Sequence, residues 1–246
     1  MDQPLTAAIL LIGDELLTGK VRESNGYFLI GALRGLGAQV TELHMVSDQV
    51  ERIDEALRLV KDRNEVVFCC GGVGPTHDDR TMEAVARAWG VPMAVQPEME
   101  ALLRLTYGDD TEKWMKIAHM PEGCELVFHT PGGWPCCRMG HVYLFPGSPL
   151  YVQAHFRGLK ERFTRPTPVY LATMDLHLDE GELVTLLSDA EARFVPVQIG
   201  SYPVTEEAPY KVRVTIEARE LGVVSAACAW LRQRVGADAI YAERMH

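Results

Sequence analysis

Residues 69–81 read CCGGVGPTHDDRT, and this stretch decides how the rest of the chain is read. Three glycines, a proline, a histidine and two adjacent aspartates fill one short connection. It follows the apolar run EVVFCC (65–70) and leads into TMEAVARAWG (81–90), so it joins a buried strand to a helix. Gly71, Gly72 and Gly74 permit positive φ and allow backbone N–H groups to approach a ligand closely. Pro75 stiffens the exit, and a helix beginning near Asp79 turns the positive end of its dipole towards the loop. Such a nest suits phosphate or pyrophosphate. Taken alone, the same residues would also fit a plain turn before a helix with an acidic first turn, Asp78 and Asp79 included.

The flanking sequence alternates strand and helix patterns. AAILLI (7–12) has the composition of a buried strand, and Ser24 stands at the cap of a helix over NGYFLIGALRGL, stopped by Gly37. AQVTELHMV (38–46) follows as a strand. QVERIDEALRLVKDRN then sets Val50, Ile53, Leu57 and Val60 at helical spacing, with charges on the opposite face. Gly90 ends the helix after the glycine loop. HVYLF (141–145) reads as a strand and LYVQAHFRGLKERF as a helix. This order predicts a mostly parallel sheet with helices on both faces, a three-layer α/β/α domain over residues 1–165. TRPTP (164–168) is the linker. Residues 166–246 then change to strand (VYLATM), helix (GELVTLLSDAEARF), two strands (VPVQIGSY and YKVRVTIEA) and helix (VVSAACAWLRQRV), a smaller α+β domain.

In open parallel sheets, ligands bind beyond the carboxyl ends of the strands. Four strands here end in the same kind of residue. AAILLI runs into Gly13, Asp14 and Glu15, and TELHMV into Ser47 and Asp48. EVVFCC runs into the glycine loop, and HVYLF into Pro146, Gly147 and Ser148. A parallel sheet brings all four clusters to one edge, and that convergence favours a binding site over a plain turn. Aspartates beside a phosphate repel it unless they hold a hard cation or accept protons, and Asp48 and Asp79 are the pair expected to do so. Asp14 and Glu15 fit a carboxylate pair and first-turn helix acids equally well. His77 reads as solvated, Lys116 as a surface lysine, Glu206 and Glu207 as a solvated turn, and Trp134, Tyr143 and Phe145 as core.

The composition sets bounds on these readings. A hydrophobic content of 47% is ample for a core, and no apolar run is long enough to span a membrane. AAILLIG is too short for a signal peptide and lacks a basic flank. The net charge of −10 argues against nucleic-acid or anionic-membrane partners, so an anionic ligand needs a local cradle. The six cysteines include two adjacent pairs, whose side chains point apart on a strand. With no secretory signal they read as reduced thiols of a cytoplasmic protein.

IGDELLTGK (12–20), Asn25, Asp48 and GGVGPTHDDRTMEAVA (71–86) together resemble the molybdopterin-binding-like domain of the MoaB/Mog group, and within it the amino-terminal part of CinA, the competence/damage-inducible type. KIAHMPEG (116–123) and FPGSP (145–149) resemble two further family segments. IGSYP (199–203) resembles a strand of the small KH-like domain that follows in CinA-type chains. The resemblance implies a domain that binds a phosphate-bearing nucleotide or pterin. It also implies metal-dependent hydrolysis of an ADP-ribose-like dinucleotide, or else molybdopterin binding and adenylyl transfer, or nucleotide binding without turnover. On that basis Asp48 and Asp79 are expected to be catalytic and metal-binding, with magnesium, manganese or cobalt as the ion. Gly71, Gly72, Gly74 and Thr76 correspond to the phosphate loop, Glu15 and Gly19 to the GDELL motif, and Lys116 to a ligand-binding lysine. Gly13, Asp14, Asp78, Pro146, Gly147 and Ser148 complete the expected set. Three positions depart from the family pattern: Trp114 and the residue near Tyr151 differ from the usual asparagine and glutamate, and TPGGWPCC (130–137) lacks the usual N-P-x-G-T-A-P-G residues. The second domain carries seven Lys or Arg against twelve Asp or Glu and no G-x-x-G clamp, which suits a dimerising or lid role in a homo-oligomer better than RNA binding.

Overall fold

The computed structural model describes residues 4–130, 133–165, 168–204 and 207–245, in two compact units, Met1–Pro166 and Thr167–His246. In the first unit the chain runs β1 (Thr6–Ile12), α1 (Asp14–Leu17), α2 (Asn25–Gly35), β2 (Gln39–Val46), α3 (Val50–Lys61), β3 (Val66–Cys70), α4 (Thr81–Trp89), β4 (Met93–Val95) and α5 (Pro97–Tyr107). A 3₁₀ segment, Gly108–Ala118, leads to β5 (His119–Pro121), β6 (Glu125–Val127), β7 (Cys136–Met139), β8 (Val142–Phe145) and α6 (Pro149–Leu159). The main sheet has the order β2-β1-β3-β8-β7-β6. Its first four strands are mutually parallel, with Ile9 opposite Phe68 and Cys69 opposite Leu144. The last two strands are antiparallel additions, and β4 pairs separately with β5.

Strand β1 is buried on both faces. Ala8, Leu10 and Ile12 join the core under α3, α4 and α5, while Ala7, Ile9 and Leu11 join the core under α2 and α6. A strand packed on both sides must be continuously apolar, which is why AAILLI shows no polar alternation. The cysteine pairs obey the same geometry. Cys69 and Cys137 face one layer, Cys70 and Cys136 the other, and all six cysteines are buried and free of disulfides. On α3, Ile53, Leu57 and Val60 are buried as their spacing predicts. Between them Asp54 is buried against Arg58 (2.7 Å) and Arg87 (3.0 Å), an ion pair that ties α3 to α4.

Phe68 sits at the centre of the second layer, with Tyr143, Phe145, Phe156 and Phe163 at ring-centroid distances of 5.0–5.8 Å. Tyr143 and Phe145 are therefore core, as read from the sequence. Trp134 is not. It is 37% exposed and lies beside Tyr107, on a different part of the molecule. The three residues do not form one cluster, because Trp134 precedes β7 in a loop while the other two point from β8 into the sheet core.

In the second unit the order is β9 (Tyr170–Leu176), α7 (Glu180–Arg193), β10 (Gln198–Pro203), β11 (Val212–Ala218), α8 (Leu221–Val235) and β12 (Ile240–Met245). The strands form an antiparallel sheet in the order β10-β11-β9-β12, and its core includes Leu183 of α7 and Val224 and Leu231 of α8. β12 is absent from the sequence reading. Its residues, IYAERM, are half polar and sit on a sheet edge, so they carry no buried run to mark them. Asp175 is 1% exposed between Arg213 (2.6 Å) and Arg244 (3.2 Å), and the Arg213 hydrogen bond is the main influence holding its carboxyl below the ordinary range. Glu207 is exposed as expected, whereas Glu206 and the Pro166–Thr167 part of the linker lie outside the described residues. Among the described residues no helix is long and apolar enough to cross a membrane.

A pair of histidines makes the second layer sensitive to acid. His129 Nε2 and His155 Nδ1 lie 2.7 Å apart, and burial, reinforced by His129, lowers the His155 pKa from 6.5 to about 4. The folded state therefore prefers neutral His155. The stability this contributes is complete above the ordinary value of 6.5 and is lost as pH falls towards 4. Urea midpoints measured from pH 7.5 to 4 are expected to fall through that window. His155→Phe, which can still stack on Phe145, is expected to give a flatter profile.

Candidate functional site

The site is built where β1, β3 and β8 end side by side. Gly71 leaves β3 at φ 113°, and its N–H donates to the Phe145 carbonyl of β8 (3.0 Å). A Cβ on Gly71 would fall 2.1 Å from the carbonyl oxygen of Ile12, so only glycine fits between the two strands. Gly72 follows at φ 65°. Here a Cβ would meet Thr81 Oγ1 at 2.4 Å. Thr81 is completely buried and closes the loop from the other side. Its hydroxyl donates to the Gly71 carbonyl (2.8 Å) and its N–H to the Gly72 carbonyl (2.9 Å).

Helix α4 begins at Thr81, as TMEAVARAWG predicts, with Arg80 and not Asp79 as its cap residue. The reason lies in Asp79. Its side chain does not cap the helix; one carboxylate oxygen accepts from both the N–H (2.8 Å) and the hydroxyl (2.5 Å) of Thr76. The carboxylate thus braces a turn inside the loop, and the Asp79 N–H donates back to the Thr76 carbonyl (3.3 Å). That carbonyl also accepts from Lys116 Nζ. Lys116, by default a surface lysine and by the resemblance a ligand-binding one, thus reaches the loop. A pocket of about 50 Å³ beside the loop sets Lys116 and His119 with two carboxylates, Asp79 and Glu83, against an apolar wall of Val73, Met82, Met93 and Ile117. Ligand pockets for whole drug-sized molecules run to roughly 300–1,000 Å³, so this one has the scale of a single phosphate group. His77 is 96% exposed, and Asp78 beside it is exposed as well.

The β8 end adds the other wall. Gly147 lies against Gly71, where a Cβ would be 3.6 Å from the Gly71 Cα, an ordinary contact. The Gly147 carbonyl accepts from Asn25 Nδ2 (2.7 Å), and Asn25 Oδ1 is buried without a partner. Ser148 is the cap residue of α6 with Pro149 at its first position, but its hydroxyl makes no cap bond. Asn25 and Thr81 are the two positioning residues absent from the expected set. Both were visible, one in the GDELL-to-asparagine spacing and one as the last letter of the quoted loop. Nothing in sequence, however, shows which carbonyl a side chain will reach.

Carboxylates gather at the β1 and β2 ends. Asp48 Oδ2 accepts from the Asp14 N–H (2.8 Å), the first amide of the short helix α1. Gly13 caps that helix in extended backbone and donates to the Val46 carbonyl (3.1 Å), while the Glu15 carboxylate folds back over it. Gly19 stops the same helix at φ 70° in open space, so its conformation alone calls for glycine. Burial raises the Asp48 pKa most, the Asp14 amide opposes this, and the nearby charges of Glu15, Asp14 and Asp78 push it further up. The edge therefore combines a glycine-built turn, a lysine at its Thr76 carbonyl and a carboxylate held in an excess of negative charge. Among the described residues no group of three His, Cys, Asp or Glu side chains could hold a metal on its own.

Comparison with known proteins places this geometry. Residues 8–165 match the family model described as "Probable molybdopterin binding domain", and residues 168–244 match one described as "FAD synthase, middle domain". A "Probable FAD synthase" of Caenorhabditis elegans is 29% identical over 98% of the chain, which spans about half (52%) of that relative's length. A "CinA-like protein" of Anaeromyxobacter is 37% identical over 66% of the chain and 41% of the relative. Among solved structures, "the protein CinA with unknown function" from Thermoplasma acidophilum superposes with a TM-score of 0.59 at 26% identity, covering 65% of this chain and 98% of that one.

Two outcomes follow from the geometry. Gly71→Ala is expected to lower unfolding stability by about 1–3 kcal/mol, from the positive φ and the backbone clash with Ile12. Gly147→Ala, with room for its methyl, is expected to stay within about 0.5 kcal/mol of wild type in the same denaturant titration. Asp48→Asn is expected to raise the melting temperature at pH 7.5. The folded pKa of Asp48 is raised, so its ionised form costs stability that returns as pH falls below the ordinary aspartate value. The advantage of the variant should accordingly vanish towards pH 3.5.

Proposed function

The chain belongs to the family of the molybdopterin binding domain, CinA-like in type, and on that premise we propose that its first unit binds a phosphate-bearing nucleotide or pterin and hydrolyses the diphosphate of an ADP-ribose-like dinucleotide. The observation that carries this reading is the shared sheet edge on which the Gly71–Thr81 nest, Lys116 and Asp48 stand together. The loop amides and the Lys116 ammonium neutralise the diphosphate and fix its orientation. Asp48 is assigned as the group that accepts a proton from the attacking water. Water oxygen bonds to phosphorus, the bridging P–O bond breaks, and AMP leaves with a sugar phosphate. Flavin adenine dinucleotide, brought to mind by the FAD synthase relatives, belongs to the same chemical class.

A divalent cation at this edge would be held by Asp48 and Asp79, each of which commits Oδ2 to hydrogen bonds with the protein, and would take its remaining ligands from substrate and water, as magnesium commonly does. Magnesium, manganese or cobalt held there would polarise a phosphoryl oxygen and ease deprotonation of water. The second unit is read as a dimerising or covering element of a homo-oligomer.

The test is release of AMP from ADP-ribose, followed by chromatography with each of the three metals. Wild type is expected to turn over only with metal. Asp48→Asn is expected to lose about 100-fold or more, the contribution of a general base. Thermal stabilisation by a phosphorylated pterin, with no AMP formed under any metal, would replace hydrolysis by pterin binding.

A further inference from the structure

The pocket beside the glycine loop admits one small group, and its charge decides which kind. The Lys116 ammonium shares the lining with two carboxylates, Asp79 and Glu83, which leaves one net negative charge. A phosphate inside would meet both carboxylates at short range and be repelled. It belongs instead on the loop side of Lys116, where the same ammonium reaches the Thr76 carbonyl. Val73, Met82, Met93 and Ile117 supply the rest of the wall, a surface suited to C–H groups. An apolar wall with a few convergent polar groups is the usual make-up of a small-molecule subsite. The group that fits is neutral, donates hydrogen bonds and has an apolar face.

The polar groups of the lining differ in what they still have to offer. Asp79 already accepts from the N–H and the hydroxyl of Thr76. Glu83 stands exposed in the first turn of α4, and among the described residues its carboxylate takes part in no hydrogen bond or ion pair. Lys116 has three N–H donors, of which the Thr76 carbonyl takes one. A spare acceptor, spare donors and an apolar wall together match the hydroxylated edge of a sugar, whose O–H groups donate and accept while its ring carbons are apolar. We propose that this pocket is a sugar subsite, in which Glu83 accepts from a hydroxyl of a sugar whose own phosphate lies at the glycine loop. One ester oxygen joins such a sugar to its phosphate, so Lys116 can serve both, whereas a base lies a whole sugar farther away. The inference rests on the diphosphate reading of the loop and makes the ligand a sugar phosphate ester, selected by its hydroxyls.

Three probes separate the two readings: inorganic pyrophosphate for the loop alone, and ribose 5-phosphate and ADP-ribose for loop and pocket together. Binding is measured by calorimetry on the full chain with a chelator present, wild type against Glu83→Ala and Glu83→Gln, and circular dichroism confirms the fold. Glu83→Ala is expected to weaken ribose 5-phosphate and ADP-ribose by about 10-fold, the size of one lost hydrogen bond to a charged group. Glu83→Gln keeps a carbonyl acceptor and is expected to lose less. Pyrophosphate should bind both variants at least as tightly as wild type, because a negative charge has been removed. Charge alone would tighten all three probes, so the opposite signs identify the sugar contact. Ribose 5-phosphate and ADP-ribose binding Glu83→Ala as tightly as wild type, or more so, would overturn the sugar subsite and leave the loop standing. Ribose 5-phosphate binding lost in Glu83→Ala, with no pyrophosphate bound by wild type, would uphold the subsite and overturn the diphosphate reading.

Discussion

The contact on which the sheet edge depends is the approach of Gly71 to the Ile12 carbonyl. β1 and β3 are neighbours in a parallel sheet, and their ends run out together at the same level. A side chain on Gly71 would collide with backbone that cannot move without breaking the β1 ladder. Once the chain passes this point at positive φ it turns back, and Thr81 holds the turn by bonding two successive carbonyls, those of Gly71 and Gly72. Those bonds fix the turn between the end of β3 and the start of α4. The β8 end joins through Gly147, which lies against Gly71 and is held from α2 by Asn25.

Around this frame the charges are unevenly distributed. Asp14, Glu15 and Asp78 gather about Asp48, while Lys116 stands against the Thr76 carbonyl, in reach of Asp78 and in one pocket with Asp79 and Glu83. In a protein of net charge −10 such a lysine supplies the local field that an anion needs. The carboxylates have the opposite effect. Asp48 is partly desolvated among like charges, an unfavourable arrangement for folding of the kind that clusters at functional sites. Asp79 shows how one residue can serve structure and still face a ligand: it braces Thr76 with one oxygen while lining the pocket.

Two of the three departures expected from the family pattern, Trp114 and Trp134, meet in space. Trp114 and Trp134 come from segments twenty residues apart in sequence and meet at Tyr107. Changes that look scattered in the chain thus form one aromatic surface.

The sequence by itself determined the layers and the edge. AAILLI, EVVFCC and HVYLF could only be strands buried on both faces, the helices between them made those strands parallel, and parallel strands put the glycine loop, Asp48 and Pro146–Ser148 on one side. Local physics was sufficient there, since periodicity and positive-φ glycines are properties of short segments. Partner choice was beyond it. Whether Asp79 would cap α4 or brace Thr76, and whether Lys116 would reach solvent or a carbonyl forty residues away, depended on distances that exist only after folding. The same holds for Trp134, which left the core for Tyr107, and for β12, whose half-polar edge sequence forms a strand only because β9 offers it a ladder. Burial patterns are written along the chain, but the pairing of polar groups and exposed rings is settled by which segments the fold brings within 3 to 6 Å of each other.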